Sequence, residues 1–246
     1  LANITTGQRN IGIGVNALTA NITGYNNIGI GINALRASTG HNNIGIGYNA
    51  LDDCTSGVEN VSIGSYSSQL LTTGNYNVAV GYSAFENVNS SYNTAVGHKA
   101  LEGASGSTGE SNTSIGFESI QSVTTGGYNT AVGFRSLESL TTGSNNTAIG
   151  YEAGKSNPVG AQNTICIGNG ANVTGNNMCR IGNNDIKVGI GTSSPESALQ
   201  VSGTLDGSPD TKGVHMGMTS SNAASIKIVG TSSGTASIDF NKEGDS

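Results

Sequence analysis

The side chains that most often carry chemistry are few in this chain and lie far apart. Its histidines are His41, His98 and His215. The first two take different places in the repeat described below, so they do not build a metal-binding column, and the third has no Cys or second His nearby in sequence. The cysteines are Cys54, Cys166 and Cys179. Their spacing fits neither a zinc site nor a disulfide framework, so we interpret them as small buried hydrophobic residues and predict no metal site.

Carboxylates are the remaining candidates for catalysis. They are scattered over the chain: Asp52, Asp53, Glu86, Glu102, Glu110, Glu118, Glu138 and Glu152. A glycoside hydrolase needs two carboxylates on one face. Glu118 and Glu152 share a place in the repeat, but one repeat lies between them. The string "IGIG" is similar to phosphate-binding loops, yet no helix follows it to receive a phosphate. We therefore predict no enzyme activity and no cofactor.

The composition narrows the class of protein further. Among 246 residues, 38 are glycine, 35% are hydrophobic and only 11% are charged. This balance is typical of a repetitive β architecture rather than of a disordered chain. The net charge of −6, without any basic cluster, argues against a nucleic-acid partner. No apolar stretch is long enough to span a bilayer, so we expect no membrane insertion.

One short repeat supplies the elements that would position any site. A glycine that follows Ile or Val, here called the anchor glycine, recurs at intervals of 14 to 19 residues, most often 17. The anchors are Gly14, Gly31, Gly47, Gly64, Gly81, Gly97, Gly116, Gly133, Gly150, Gly168 and Gly182. Such self-similarity is typical of a solenoid, in which each unit stacks on its neighbours. The sequence therefore predicts an all-β fold, a β-solenoid (β-roll) of about 17-residue coils over residues 1–182.

The alternation within a coil predicts how its side chains are arranged. Each coil has room for two short strands and two turns, and the eleven coils should extend about 50 Å. In "NTAVG", Thr130 and Val132 point one way while Ala131 and Gly133 point the other. We expect the bulky face to form the interior of the coil. The bare face of Gly, Ala and Ser would then pack closely against another chain.

An asparagine stands four places before each of the first nine anchors. These residues are Asn10, Asn27, Asn43, Asn60, Asn77, Asn93, Asn112, Asn129 and Asn146. Equivalent positions in adjacent coils lie about 4.8 Å apart, so a charged residue here would create a column of like charges. Amides can instead stack as a hydrogen-bonded ladder. We predict that these asparagines form such a structural ladder.

The repeat stops after Gly182. Residues 183–203 read as a neck or connector, and residues 204–246 as a small β-domain with candidate strands within 212–218, 224–230 and 236–240. Because the chain opens at Leu1 and ends abruptly at "NKEGDS", we expect it to be part of a longer protein.

Several stretches of the sequence resemble the repeats of known adhesin and fibre families. The "N-T-A-[IV]-G" phrase resembles the head repeats of trimeric autotransporter adhesins, which form a left-handed β-roll with three chains side by side. The fuller unit "TGSNNTAIGYEA" and the segment "VGIGTSSPESALQVSG" are similar to phage and large-virus tail-fibre or spike proteins. In those fibres the segment leads into a β-domain and then an intramolecular chaperone domain, whose sequence does not appear in these 246 residues.

The resemblance implies a homotrimeric viral fibre that attaches to a host. The expected location is the virion surface, outside the cell, and the expected partners are two further copies of the chain and a host cell-surface glycan or receptor. The head of a bacterial surface adhesin is an alternative that the same repeats predict. A polysaccharide-degrading spike is a less favoured one. Ice binding by threonine ladders is weakened because the residue three places before the anchor is Ile or Val in the first five coils.

Aromatic residues near the repeated asparagine are the candidates for binding. They are Tyr25, His41, Tyr76, Tyr92 and Tyr128. Their rings could stack on sugars, although turn residues that pack on the next coil would look the same. The longest loop between repeats, Glu102 to Thr108, is a second candidate surface.

Overall fold

The computed structural model describes residues 6–183, 185–190, 193–195 and 199–201. The predicted β-domain over 204–246, with its candidate strands, lies outside the described residues, as does part of the predicted connector over 183–203. The chain forms two compact units, of which the solenoid is the larger.

The repeats fold into a parallel β-solenoid of about 17-residue coils, as predicted, and the described residues contain no helix. Eleven strands of three residues follow one another in sequence order in a single sheet. They are β1 (Ile11–Ile13), β2 (Ile28–Ile30), β3 (Ile44–Ile46), β4 (Val61–Ile63), β5 (Val78–Val80), β6 (Thr94–Val96), β7 (Thr113–Ile115), β8 (Thr130–Val132), β9 (Thr147–Ile149), β10 (Ile165–Ile167) and β11 (Cys179–Ile181). Two later strands, β12 (Val188–Ile190) and β13 (Leu199–Val201), form a sheet of their own.

The register of the sheet follows the repeat without a slip. Thr130 pairs with Thr147 and Val132 with Ile149, and every pair along the sheet joins residues at the same distance from their anchors. Length differences between coils are therefore absorbed outside the strands. The result is a set of columns in which equivalent side chains stand one above another.

Each strand ends at its anchor glycine because the backbone there turns through a conformation that side chains disfavour. Gly133 has φ +135°, and a Cβ at this position would overlap the carbonyl oxygen of Gly150 in the next coil. The Gly133 N–H donates to the Ile115 carbonyl oxygen at 2.8 Å, which ties the corner to the coil below. Glycine is required here both for the positive φ and for the close approach of two backbones.

The expectation for the interior is wrong: the small residues face inward and the bulky ones outward. Ala79, Ala95 and Ala131, at the centre of their strands, are fully buried. Ile13, Ile149 and Ile167 are 59%, 44% and 38% exposed. The bare face therefore does not pack against another chain, because it lines the interior of its own coil.

Large side chains from the opposite side of the coil explain this reversal. Four places after the anchor stands a buried residue, and these are Leu18, Leu35, Leu51, Ser68, Phe85, Leu101, Ile120 and Leu137. A Cβ on Gly45 would lie 3.1 Å from Leu35 Cγ, so the leucine reaches across the coil to touch the strand. Large side chains of this column fill the space next to the strand, so the strand residues that face them must be small.

The second side of each coil is a series of turns rather than the second strand that the coil length suggested. Asn33 has φ 57° and Leu35 has φ 52°, in the left-handed region, and equivalent residues repeat this in other coils. The Asn33 N–H donates to the Val15 carbonyl oxygen in the preceding coil at 2.9 Å. The Leu35 N–H donates to the Ala50 carbonyl oxygen in the next coil at 3.0 Å. These hydrogen bonds between coils offset the cost of holding non-glycine residues in this conformation.

The anchor glycine can be tested by adding one methyl group. Gly133→Ala should lower the free energy of unfolding by about 3 kcal/mol or more, because the Cβ meets backbone that cannot move aside. Gly106 is the matched control, since it also has positive φ, +81°, but no atom within 4 Å of an added Cβ. Gly106→Ala should cost only about 1 kcal/mol. Urea titration followed by circular dichroism measures both, and equal losses would contradict the close-approach argument.

Candidate functional site

The outward strand face forms a continuous surface that we call the apolar stripe. It comprises three columns: the residues three places before, one place before and one place after each anchor. The first column contains Ile11, Ile28, Ile44, Val61, Val78, Thr94, Thr113, Thr130, Thr147, Ile165 and Cys179. The second contains Ile13, Ile30, Ile46, Ile63, Val80, Val96, Ile115, Val132, Ile149, Ile167 and Ile181. The third contains Val15, Ile32, Tyr48, Ser65, Tyr82, His98, Phe117, Phe134 and Tyr151.

The apolar stripe is as large as the largest exposed apolar patches of typical monomers. Ten steps of about 4.8 Å along the solenoid, and about 13 Å across, give an area of roughly 600 Å². The largest exposed apolar patch on a typical monomer measures about 300–600 Å², and patches at this upper end mark interaction surfaces. The stripe thus has the size and chemistry of an interface with another protein surface.

The third column of the stripe is an aromatic stack. From Tyr82 through His98, Phe117 and Phe134 to Tyr151, successive ring centroids are 5.2, 5.0, 5.2 and 5.2 Å apart, with planes within 13° of parallel. Such offset stacking stabilises each aromatic pair by about 0.5–1.5 kcal/mol beyond burial. His98 is therefore part of an aromatic column on the outer face of the solenoid.

The sequence-predicted binding residues fall into three groups instead of one cluster. The Tyr25 and His41 rings stack at 4.5 Å, and the Tyr76 and Tyr92 rings stack at 5.3 Å. Tyr128 stacks on no other aromatic ring within the described residues, and its side chain is 61% exposed. All five lie at the coil edge that precedes the strand. The candidate loop from Glu102 to Thr108 is exposed only at 104–106 and at Thr108.

The repeated asparagines form a buried ladder that ties coil to coil. The Asn146 backbone N–H donates to Asn129 Oδ1 at 3.0 Å, and the Asn129 N–H donates to Asn112 Oδ1 at 3.0 Å. Asn129 Nδ2 donates onward to the Gly143 carbonyl oxygen at 3.0 Å and back to Asn112 Oδ1 at 3.0 Å. Each side chain thus satisfies backbone groups at the corner where the strand begins. The column ends at Thr164, whose N–H and hydroxyl both donate to Asn146 Oδ1.

Charged side chains pair with one another on the turn side of the solenoid. Arg36 Nε lies 2.6 Å from Asp52 Oδ1, and Arg135 Nε lies 2.7 Å from Glu118 Oε2. Lys155 Nζ lies 2.7 Å from Glu152 Oε1, and this hydrogen bond raises the pKa of the lysine. Several of the carboxylates considered for catalysis are thus used in ion pairs between and within coils. No group of three or more His, Cys, Asp or Glu residues in the described part of the chain is arranged to hold a metal ion.

Two of the three cysteines are interior residues, as expected, and the third is not. Cys54 is fully buried, and burial raises the pKa of its thiol to about 11. Cys166 takes the place of alanine at the centre of β10, where burial also raises its pKa. Cys179 is exposed because it lies in the first column of the apolar stripe.

No family model, no curated protein and no solved structure matches the chain. In the part of the chain that the structure describes, no helix has the length and apolar character needed to cross a membrane.

The asparagine ladder can be tested at its centre. Asn129→Ala removes the acceptor for the Asn146 N–H and leaves buried backbone groups without partners, so it should lower the free energy of unfolding by about 2–4 kcal/mol. Asn145→Gly is the control, because Asn145 is exposed with φ 60° and glycine keeps that backbone conformation. The midpoint of urea unfolding should fall for the first variant alone. An unchanged midpoint for Asn129→Ala would show that the ladder adds no stability.

The different settings of the cysteines predict different reactivities. The ordinary pKa of a thiol is 9.0, and the raised pKa of Cys54 leaves less of the reactive thiolate at pH 8. Iodoacetamide at pH 8 should therefore leave Cys54 and Cys166 unmodified in the folded protein and modify both after unfolding in urea. Peptide mass spectrometry reads each site. Modification of Cys54 at the same rate in both states would contradict its interior position.

Proposed function

We propose that this chain is a non-catalytic structural and receptor-binding segment of a homotrimeric viral or phage fibre or spike. It would lie on the virion surface, outside the cell, with two further copies of itself and a host cell-surface glycan or receptor as partners. The observation that carries the proposal is the apolar stripe, which runs the length of the solenoid and is covered by no other residue in the part of the chain that the structure describes.

The shape of the stripe supports association between identical copies. Its columns run parallel to the solenoid axis, so copies aligned side by side bring equivalent residues to the same height. Burial of exposed Ile, Val and aromatic side chains stabilises by about 25 cal/mol per Å² of apolar surface removed from water. A stripe of roughly 600 Å² is close to the 800 Å² that each partner contributes to a standard interface.

The trimer, the fibre and the host partner are supported by the sequence resemblance together with this surface. The resemblance predicts three chains side by side, and an apolar face that is exposed along the described solenoid suits that arrangement. The alternative of a bacterial surface adhesin head uses the same face in the same way. The charge balance of −6 supports neither a nucleic-acid partner nor binding to acidic surfaces.

Light scattering on the purified chain tests the oligomeric part of the proposal. We expect a mass of about three times 24.7 kDa. The double variant Val132→Asp with Ile149→Asp places charges in the stripe, where their burial between copies is costly, and should give a folded monomer by light scattering and circular dichroism. Thr142→Asp, an exposed position outside the stripe, should keep the mass of the unchanged chain. A stable monomer of the unchanged chain would overturn the trimer.

The receptor-binding part is tested separately with labelled protein. The fluorescently labelled trimer should bind a subset of glycans on a printed array that covers bacterial, algal, plant and animal structures, and it should release no sugar products. Release of products would instead support the polysaccharide-degrading alternative. Absence of binding to every glycan, together with absence of binding to intact cells, would remove the receptor-binding role from this segment.

A further inference from the structure

We propose that Tyr92 and Tyr128 are the two walls of a slot that binds one neutral pyranose ring, with Ser111 and Glu110 at its base. The inference rests on the proposed function, because it assigns a place and a ligand class to the receptor binding of the fibre. The evidence for it is the arrangement of side chains in the columns of the solenoid.

The three residues at the centre of the slot occupy one column. Tyr92, Ser111 and Tyr128 each stand five places before an anchor glycine, in three successive coils. Their φ angles are 64°, 56° and 58°, so all three have the same left-handed backbone conformation. Their side chains therefore leave the coil at equivalent points, and the two tyrosines are separated by two coil steps, about 10 Å.

The spacing of the two tyrosines matches the thickness of a stacked ring. Where adjacent coils both carry tyrosine in this column, Tyr76 and Tyr92 stack at 5.3 Å with their planes 10° apart. Ser111 interrupts this stack with a short side chain. A ring between Tyr92 and Tyr128 would lie about 5 Å from each of them, within the range of favourable ring contacts. The two walls are also the most exposed tyrosines in the column, at 60% and 61%, compared with 47% for Tyr76.

The base of the slot has polar side chains that are free to meet a ligand. The Ser111 N–H already donates to Ser91, and the Glu110 carbonyl oxygen already accepts from the Tyr128 N–H, so the backbone is occupied by bonds between coils. Within the described residues, the Ser111 hydroxyl and the Glu110 carboxylate make no hydrogen bond or ion pair, and Glu110 is exposed. A carboxylate and a hydroxyl together accept from and donate to adjacent ligand hydroxyls.

These features favour a neutral sugar over other flat ligands. A pyranose presents C–H groups on its two faces and hydroxyls around its edge, which matches two aromatic walls above a polar base. An aromatic ring would also fit between the walls, but it would leave the carboxylate without a partner. The Glu110 charge and the net charge of −6 disfavour sialic acids, uronic acids and sulfated sugars.

The position of the slot is compatible with the proposed trimer. None of its residues belongs to the apolar stripe, so association through the stripe does not use them. The slot lies in the coil that carries the longest insertion, and the exposed residues 104–106 precede Glu110 in that coil. A variable loop beside an aromatic pair is a suitable arrangement for selecting among glycans.

Filling the slot from within is the sharpest test. Ser111→Tyr should fold normally, because tyrosine is native to this column with the same φ at three other coils, and its ring would complete the stack from Tyr76 to Tyr128. The probes are the methyl glycosides of glucose, galactose, mannose, N-acetylglucosamine and N-acetylgalactosamine, with sialic acid and indole for comparison. Saturation-transfer NMR and calorimetry are carried out on the full chain, with its mass checked by light scattering.

We expect at least one neutral glycoside to bind the unchanged chain saturably. Ser111→Tyr should abolish that binding, and Tyr92→Ala and Tyr128→Ala should each weaken it at least tenfold. Thr142→Asp, at an exposed position outside both the slot and the apolar stripe, should leave it unchanged. A glycoside that binds the unchanged chain and Ser111→Tyr equally would overturn the slot, and so would binding of indole or sialic acid but of no neutral glycoside.

The failure of the slot is distinguishable from the failure of the fibre assignment. If the labelled trimer binds array glycans and Ser111→Tyr binds them equally well, the slot is wrong while the receptor-binding role stands. If the unchanged trimer binds no glycan and no cell, both the slot and the receptor-binding role are wrong. If the unchanged chain is a monomer, the trimer proposal is wrong. The glycoside titration still tests whether the slot binds a neutral sugar.

Discussion

The space between the strand and the opposite side of the coil admits large side chains from only one of the two, and the rest of the structure depends on that limit. Because Leu35 and its equivalents reach across the coil, the strand that faces them must carry Gly, Ala or Ser. The alternation of a strand then sends its Ile, Val and Thr side chains outward. An apolar outer face is thus a consequence of how the coil is filled, and it recurs in each coil because the coils are stacked in register.

The period, the register and the all-β class could be predicted from the sequence. They depend on the spacing of the anchor glycines and of the residues around them, which can be counted in the sequence. The side of the strand that faces inward could not be predicted in this way. Alternation shows that Thr130 and Ala131 point in opposite directions, but only the position of the large side chain across the coil decides which of them points inward. The left-handed turns at Asn33 and Leu35 were also missed. Asparagine is compatible with that conformation, but leucine gives no signal for it.

The sequence could identify the aromatic residues of the candidate site but not their grouping. Their grouping depends on which coils lack a ring, and that is visible only when the columns are aligned. The stacks of Tyr25 on His41 and of Tyr76 on Tyr92 use one face of each ring. Ser111 has significance only as the short side chain between two tyrosines. The aromatic column through Phe117 and Phe134 continues the bulky strand face on the outside of the coil, whereas the alternation alone predicted that this face would form the interior.

Distances between copies of the chain test most directly whether the outward apolar face is what holds them together. A nitroxide label on Ile149→Cys, in a chain that carries Cys179→Ser, allows pulsed dipolar spectroscopy to measure the separation between copies. The same label on Thr142→Cys provides the comparison. We predict one well-defined distance from position 149 that is shorter than the distance from position 142. A longer distance from position 149, or no dipolar coupling from either position, would contradict it.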